Sequence, residues 1–151
     1  MRAYFLAALV VGANAAVHKI NVGQGGLTYT PDSVKAEVGD ILEFYFVGGN
    51  HDAVMADFDT PCAPSTTRDD AFSSGVIQGT PNNKNVFHVT VNSTEPTFYY
   101  CSVGMHCANG MVAAINPSDD QTVDAYRAAS KGKQPKAPTG VYGGEFGDPL
   151  P

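Results

Sequence analysis

Ile41-Leu42-Glu43-Phe44-Tyr45-Phe46-Val47 decides the fold class. Leu42, Phe44 and Phe46 fall on one face of an extended chain and Glu43 and Tyr45 on the other, the two-residue period of a strand with one face in a core. Asn85 to Val91 repeats the pattern, with Phe87, Val89 and Val91 inward. His88 and Thr90 then point outward, which makes His88 a surface residue. Shorter strand-like runs are His18 to Val22, Leu27 to Thr30, Ser33 to Val38, Thr97 to Val103 and Met111 to Ile115, with Gly, Pro and Asp between them. Seven or eight such strands within about 100 residues predict an all-β protein, an antiparallel β-sandwich. Thr60 to Lys84 is a long irregular stretch broken only by Ala71 to Ile77, and connections of that length are functional or disulfide-tied.

The chain has 151 residues, enough for one domain. With 43% hydrophobic and 16% charged residues it can fill a core, which excludes global disorder. A net charge of −6 repels phosphate backbones and argues against nucleic-acid partners. Arg2, the apolar run Ala3 to Val11 and the small residues Gly12 to Ala16 read as a signal peptide over residues 1–15, cut after Ala15. The run is too short for a membrane span. No second hydrophobic stretch precedes Gly147-Asp148-Pro149-Leu150-Pro151, so the reading is a soluble extracellular monomer with no membrane anchor. Asn92-Ser93-Thr94 is a glycosylation acceptor. Ser118 with Gln121 fits a capping box for one helix over residues 118–131, closed by Gly132, with Val123, Tyr126, Ala129 and Ser130 on one face. The Gly/Pro-rich residues 132–151 are expected to be a disordered tail, leaving a domain over residues 16–117.

The chemistry lies in Cys101-Ser102-Val103-Gly104-Met105-His106-Cys107-Ala108-Asn109-Gly110-Met111. A strand ending at Cys101 and resuming at Met111 holds a thiolate, an imidazole and a thioether around the mouth of one loop. His51, after Gly48-Gly49-Asn50 at the end of an apolar strand, can complete a His2Cys set with a weak axial Met. That is the ligand set of a blue-copper site. Thiolate and thioether favour Cu(I) and the imidazoles also suit Cu(II), so one electron can come and go with little change of geometry. Thioether ligation is poor for zinc.

Asn50-His51, Phe98-Tyr99-Tyr100-Cys101, Gly104-Met105-His106-Cys107 and Gly110-Met111-Val112 resemble the phytocyanin-like cupredoxins, especially the small extracellular ones of fungi. The similarity covers about Val17 to Pro117, including Gly26 to Pro31 and Val38-Gly39-Asp40. It implies a Greek-key sandwich, one type 1 copper held by His51, Cys101, His106 and Met111, and a disulfide between Cys62 and Cys107. Met105 stands where such proteins more often have Gly or Asn, and the Ser-rich anchored tail of many fungal relatives is missing. Cysteine arithmetic agrees: copper gives Cys101 a reason to stay unpaired, and a bridge closing the 62–107 loop is worth about 4 kcal/mol in the chain-entropy model.

One such copper carries one electron. Paired His-x-His motifs for further coppers, a Ser-His-Asp set and paired catalytic carboxylates are absent from the sequence, the acids reading as scattered and solvated. The expected function is therefore one-electron transfer with an unidentified redox partner, not an enzyme. The alternative is a non-redox copper-binding or cell-surface module. His106 would be the electron port, with Gly49, Gly104, Met105 and Gly110 as an apolar docking rim. Ala16-Val17-His18, freed by cleavage, offers amine, amide and imidazole nitrogens for a second, weak copper site.

Overall fold

The computed structural model describes residues 14–151. In chain order its strands are β1 (Val17–Val22), β2 (Tyr29–Thr30), β3 (Ser33–Val34), β4 (Ile41–Phe46), β5 (Asn50–His51) and β6 (Val54–Ala56). They continue as β7 (Ile77–Gln78), β8 (Val86–Thr90), β9 (Thr97–Tyr100) and β10 (Val112–Ile115), followed by helix α1 (Val123–Ser130) and β11 (Glu145–Gly147). One sheet has the order β11-β8-β4-β1-β2, a second β3-β10-β9-β6, and β5 pairs with β7.

Leu42, Phe44 and Phe46 are buried as their alternation predicts, with Ile20 and Val22 of β1 and Phe87 and Val89 of β8. They share one core with Met55, Tyr99, Ala113 and Ile115 of the second sheet. Phe44 and Tyr99 meet edge to face, centroids 5.4 Å apart, the arrangement aromatic quadrupoles favour. The architecture is the expected all-β sandwich with one helix. Its ladders are mixed in direction, because β1 runs parallel to β4 and β3 parallel to β10. Side-chain alternation has the same period either way, so it does not report direction.

All four residues of β9 are buried, which explains why Thr97 to Tyr100 shows no alternation. Its outer face meets a second apolar cluster built on Phe98, Tyr100, Val112, Tyr126 and the Cys62–Cys107 pair. Tyr126 of α1 stacks on Phe98 at 4.8 Å. The helix is shorter than the expected 118–131. Thr122 is its N-cap, its hydroxyl accepting from Ala125 N–H at 3.0 Å. Ser118 and Gln121 instead close a separate turn ahead of it, through main-chain bonds in both directions. Tyr126 and Ser130 are buried, whereas Ala129 is exposed.

Residues 132–151 are not a disordered tail. Lys136 N–H donates to Cys62 O at 2.8 Å, Tyr142 and Ser73 exchange main-chain bonds, and β11 pairs antiparallel with β8. Composition misleads here because the glycines let backbone approach backbone: a Cβ on Gly144 would lie 2.5 Å from His88 O. This segment also corrects the reading of the outer face of β4. Glu43 is 2% exposed. Its carboxylate accepts from Leu150 N–H at 2.6 Å, Tyr45 OH at 2.7 Å and His88 Nε2 at 3.0 Å. Burial opposes the charge, but these bonds outweigh it and hold Glu43 below the ordinary carboxylate range. His88 is accordingly a partner of a buried acid and not a surface residue. The expected signal peptide lies outside the described residues except for Asn14 and Ala15.

Asp40 fastens the start of β1. It accepts from His18 Nε2 at 2.8 Å and from the Ala16 and Glu37 amides at 2.9 Å each. The His18 bond, then the two amides, lower its pKa from 3.8 to about 2. A depressed carboxylate stabilises the fold fully above its unfolded value and loses that contribution as pH falls through the folded one. Thermal melts between pH 4 and pH 2 should therefore show a steep loss of stability that Asp40→Asn flattens. Equal slopes for the two proteins would contradict the assignment.

Candidate metal centre

His51 lies on β5, whose pairing with β7 sets His51 opposite Ile77. Cys101 follows β9 directly, and its N–H donates to Met111 O at 3.1 Å. Between them the chain folds tightly: His106 N–H donates to Val103 O at 3.0 Å and Met111 N–H to His106 O at 2.9 Å. Gly104 (φ 49°) and Gly110 (φ 98°) supply the left-handed backbone these turns need. Cys107, next to His106, is joined to Cys62 by a disulfide, and Cys101 is a free buried thiol.

Three of the four sequence-predicted donors, those of His51, Cys101 and His106, converge. His51 Nδ1 and His106 Nδ1 are 3.2 Å apart, and Cys101 Sγ is 3.4 Å from His106 Nδ1 and 3.7 Å from His51 Nδ1. Donors bound about 2.0–2.3 Å from one ion stand about 3–4 Å from each other, so these three atoms fit a single metal. Met111 is fully buried in the same core cluster as Cys101, and its main chain is bonded to both Cys101 and His106. Burial, and secondarily Asp52, push the Cys101 thiol up to about 12. Burial and the neighbouring His106 lower His51. Both shifts favour the uncharged forms of these donors, and a cation must displace the thiol proton to use the sulfur.

Asp52 is the residue that sequence reasoning passed over. It is 0% exposed; its carboxylate accepts from Ser102 N–H at 2.6 Å and from the Ser102 hydroxyl. Asp52 therefore ties the residue after His51 to the residue after Cys101. Burial raises its pKa against these bonds. The available signal was an acid directly following an expected ligand. Gly23 is a second unforeseen feature, beside Gly49 that was expected at the rim: a Cβ on either would lie 2.6 Å from the His51 ring. They share a surface cleft of about 420 Å³ with Leu27, Val103 and the two imidazoles. Met105 is 42% exposed, in line with a rim position. Gly110 packs on Arg127 instead. His18 and Ala16 are not part of this centre; both are engaged by Asp40, and Ile41 N–H donates to Ala16 O. Asn92 is exposed just beyond β8.

No family model matches the chain. A protein of Arthroderma benhamiae described as "Probable GPI-anchored cupredoxin-1" is 38% identical over 143 residues, covering 93% of this chain and 73% of that protein. The chain belongs to the cupredoxin family. A second protein of that organism, described as "Extracellular serine-rich protein", is 38% identical over 147 residues, 94% of this cupredoxin but 57% of its relative. Solved structures share the fold, two of them over about two thirds of the chain. A purple cupredoxin from Nitrosopumilus maritimus gives a TM-score of 0.50 at 17% identity, over 67% of this chain and 99% of that one. A dithionite-reduced auracyanin from Roseiflexus castenholzii gives 0.51 at 13% identity, over 68% and 97%.

The relatives overturn one expectation. The expected absence of a membrane anchor is corrected by a cupredoxin that matches 93% of this chain and is described as GPI-anchored. The matched region is only part of that protein, so the end of the match carries no information about anchoring.

The buried thiol gives a metal-independent check. In the metal-free cupredoxin one thiol should be silent to Ellman's reagent at neutral pH and should titrate only after denaturation. Ready reaction of the native protein would contradict the burial of Cys101.

Proposed function

We propose that this cupredoxin is an extracellular type 1 copper protein that carries single electrons, and that His51, Cys101, His106 and Met111 are the residues that would hold the copper. The observation that carries this reading is the convergence of two Nδ1 atoms and one Sγ within a 3.2–3.7 Å triangle. Copper, when bound, supplies a one-electron couple that a thiolate, two imidazoles and a thioether support in both states. The chain's own contribution is positional. The Asp52–Ser102 bonds and the Cys62–Cys107 disulfide brace the two ligand-bearing segments, so the donors have little freedom to relax toward either preferred geometry. Burial of Cys101 and His51 keeps bulk water from the sulfur. His106, half-buried, is the edge through which electrons pass, and the uncharged surface of Leu27, Val103 and Met105 is where a redox partner docks.

In the same reading the mature amino terminus is Ala16. Its nitrogen lies 2.9 Å from Asp40 Oδ1, where an ammonium formed by cleavage after Ala15 would find its counter-ion. The two relatives, one described as GPI-anchored and one as extracellular, support a location outside the cell, and Asn92 is open to a glycan there.

Adding Cu(II) to the metal-free protein should produce an intense visible sulfur-to-copper charge-transfer band that bleaches with ascorbate and returns with an oxidant. In weak buffer at neutral pH, binding should also release about one proton, the one held by Cys101. Cys101→Ser should abolish both effects. A tight but colourless copper complex would favour the non-redox copper-binding role.

A further inference from the structure

We infer that Arg127 is a positioning residue for Met111, acting from α1 on the main chain to either side of it; the inference rests on reading Met111 as one of the residues that would hold the copper. Arg127 Nε donates to Gly110 O at 3.3 Å, and Nη2 reaches Val112 O at 3.5 Å. These are the carbonyls immediately before and after Met111. The aliphatic stem lies over Gly110, where a Cβ would stand 3.5 Å from Arg127 Cδ. Any side chain there would also have to adopt φ 98°, which L-residues rarely take.

The same Nη2 is also held by a group outside the loop. Nη2 donates to Asp32 Oδ2 at 2.6 Å, and Asp32 O accepts from Ala114 N–H at 3.0 Å, so the acid is itself attached to β10. The helix is held by Tyr126, fully buried and stacked on Phe98. Met111 is thus fixed from the ligand side by its bonds to Cys101 and His106 and from behind by a planar fork bolted to helix and sheet. A lysine cannot span both carbonyls with the same geometry, since only the guanidinium presents donors in a rigid fork. The Nη1 bond to Asp124, at 2.8 Å within the helix, is exposed and does not touch the loop.

The test uses the full mature chain with 13C-labelled methionine methyl groups, first metal-free and then with Cu(II) alone. Arg127→Ala should shift or broaden the Met111 methyl resonance of the metal-free protein while leaving that of Met55 in place. With Cu(II) it should change the ratio of the visible bands and the copper hyperfine splitting. Arg127→Lys should restore the charge but only part of either signal, and Asp124→Asn should leave both unchanged. Should Arg127→Ala fail to fold, Asp32→Asn, which weakens the anchor on Nη2, should move the same signals in the same direction. The inference is overturned if the Met111 resonance and the copper spectrum match wild type in Arg127→Ala, or in Asp32→Asn where that variant stands in. It is also overturned if Asp124→Asn moves them equally. A wild-type protein that forms no coloured copper complex would sink the electron-transfer reading, while the metal-free methyl comparison would still decide the role of Arg127.

Discussion

The bond between Asp52 and Ser102 is the joint on which the centre depends. It runs from the residue after His51 to the residue after Cys101, positions that are 50 residues apart in the chain. A carboxylate that is 0% exposed is costly to bury unless its lone pairs are used, and Ser102 satisfies them with a backbone N–H and a hydroxyl. Tyr29 adds a third tie by donating to Asp52 O at 2.6 Å. Removing the acid would leave the partly buried Ser102 donors without this partner on one side and would loosen the ribbon carrying His51 on the other. The separation of His51 Nδ1 from Cys101 Sγ is therefore braced by a hydrogen bond that neither of those side chains makes.

Around that joint the molecule is assembled in shells of different physical character. The inner core is aliphatic and aromatic, and closes the space between the two sheets. The outer cluster, with Tyr126, Phe58 and the disulfide, covers the back of the sheet from which Cys101 emerges. Backing of this kind makes β9 rigid on both faces. The loop after it inherits a fixed starting point, and Cys107 gives it a second one immediately beside His106.

Features set by local period and local spacing were legible in the sequence. The alternation of Leu42, Phe44 and Phe46 placed β4 correctly, and the intervals from Cys101 to His106 to Met111 fit a single loop because five-residue steps span a turn. Features that depend on distant parts of the chain were illegible. Glu43 looks like an outward polar residue until residues 143–150 fold over it. His88 changes from surface to partner for the same reason. Thr122 rather than Ser118 begins the helix because Ser118 and Gln121 are already bonded to each other in a turn. Asp52 was passed over because acids are ordinarily solvated, and only the three-dimensional closeness of Ser102 shows why this one is not.

The pairing of β11 with β8 has a consequence for the protein's life in solution. An unpaired strand at the margin of a sheet is a template on which a second molecule can lay its own backbone. Here the margin next to β8 is occupied by a three-residue segment, with Asp148 and Pro149 directly after it. Proline has no N–H to offer a neighbour, and a charge beside it disfavours an apolar partner. The Gly/Pro-rich segment thus covers β8 and leaves an incoming strand only a three-residue margin on that side of the larger sheet.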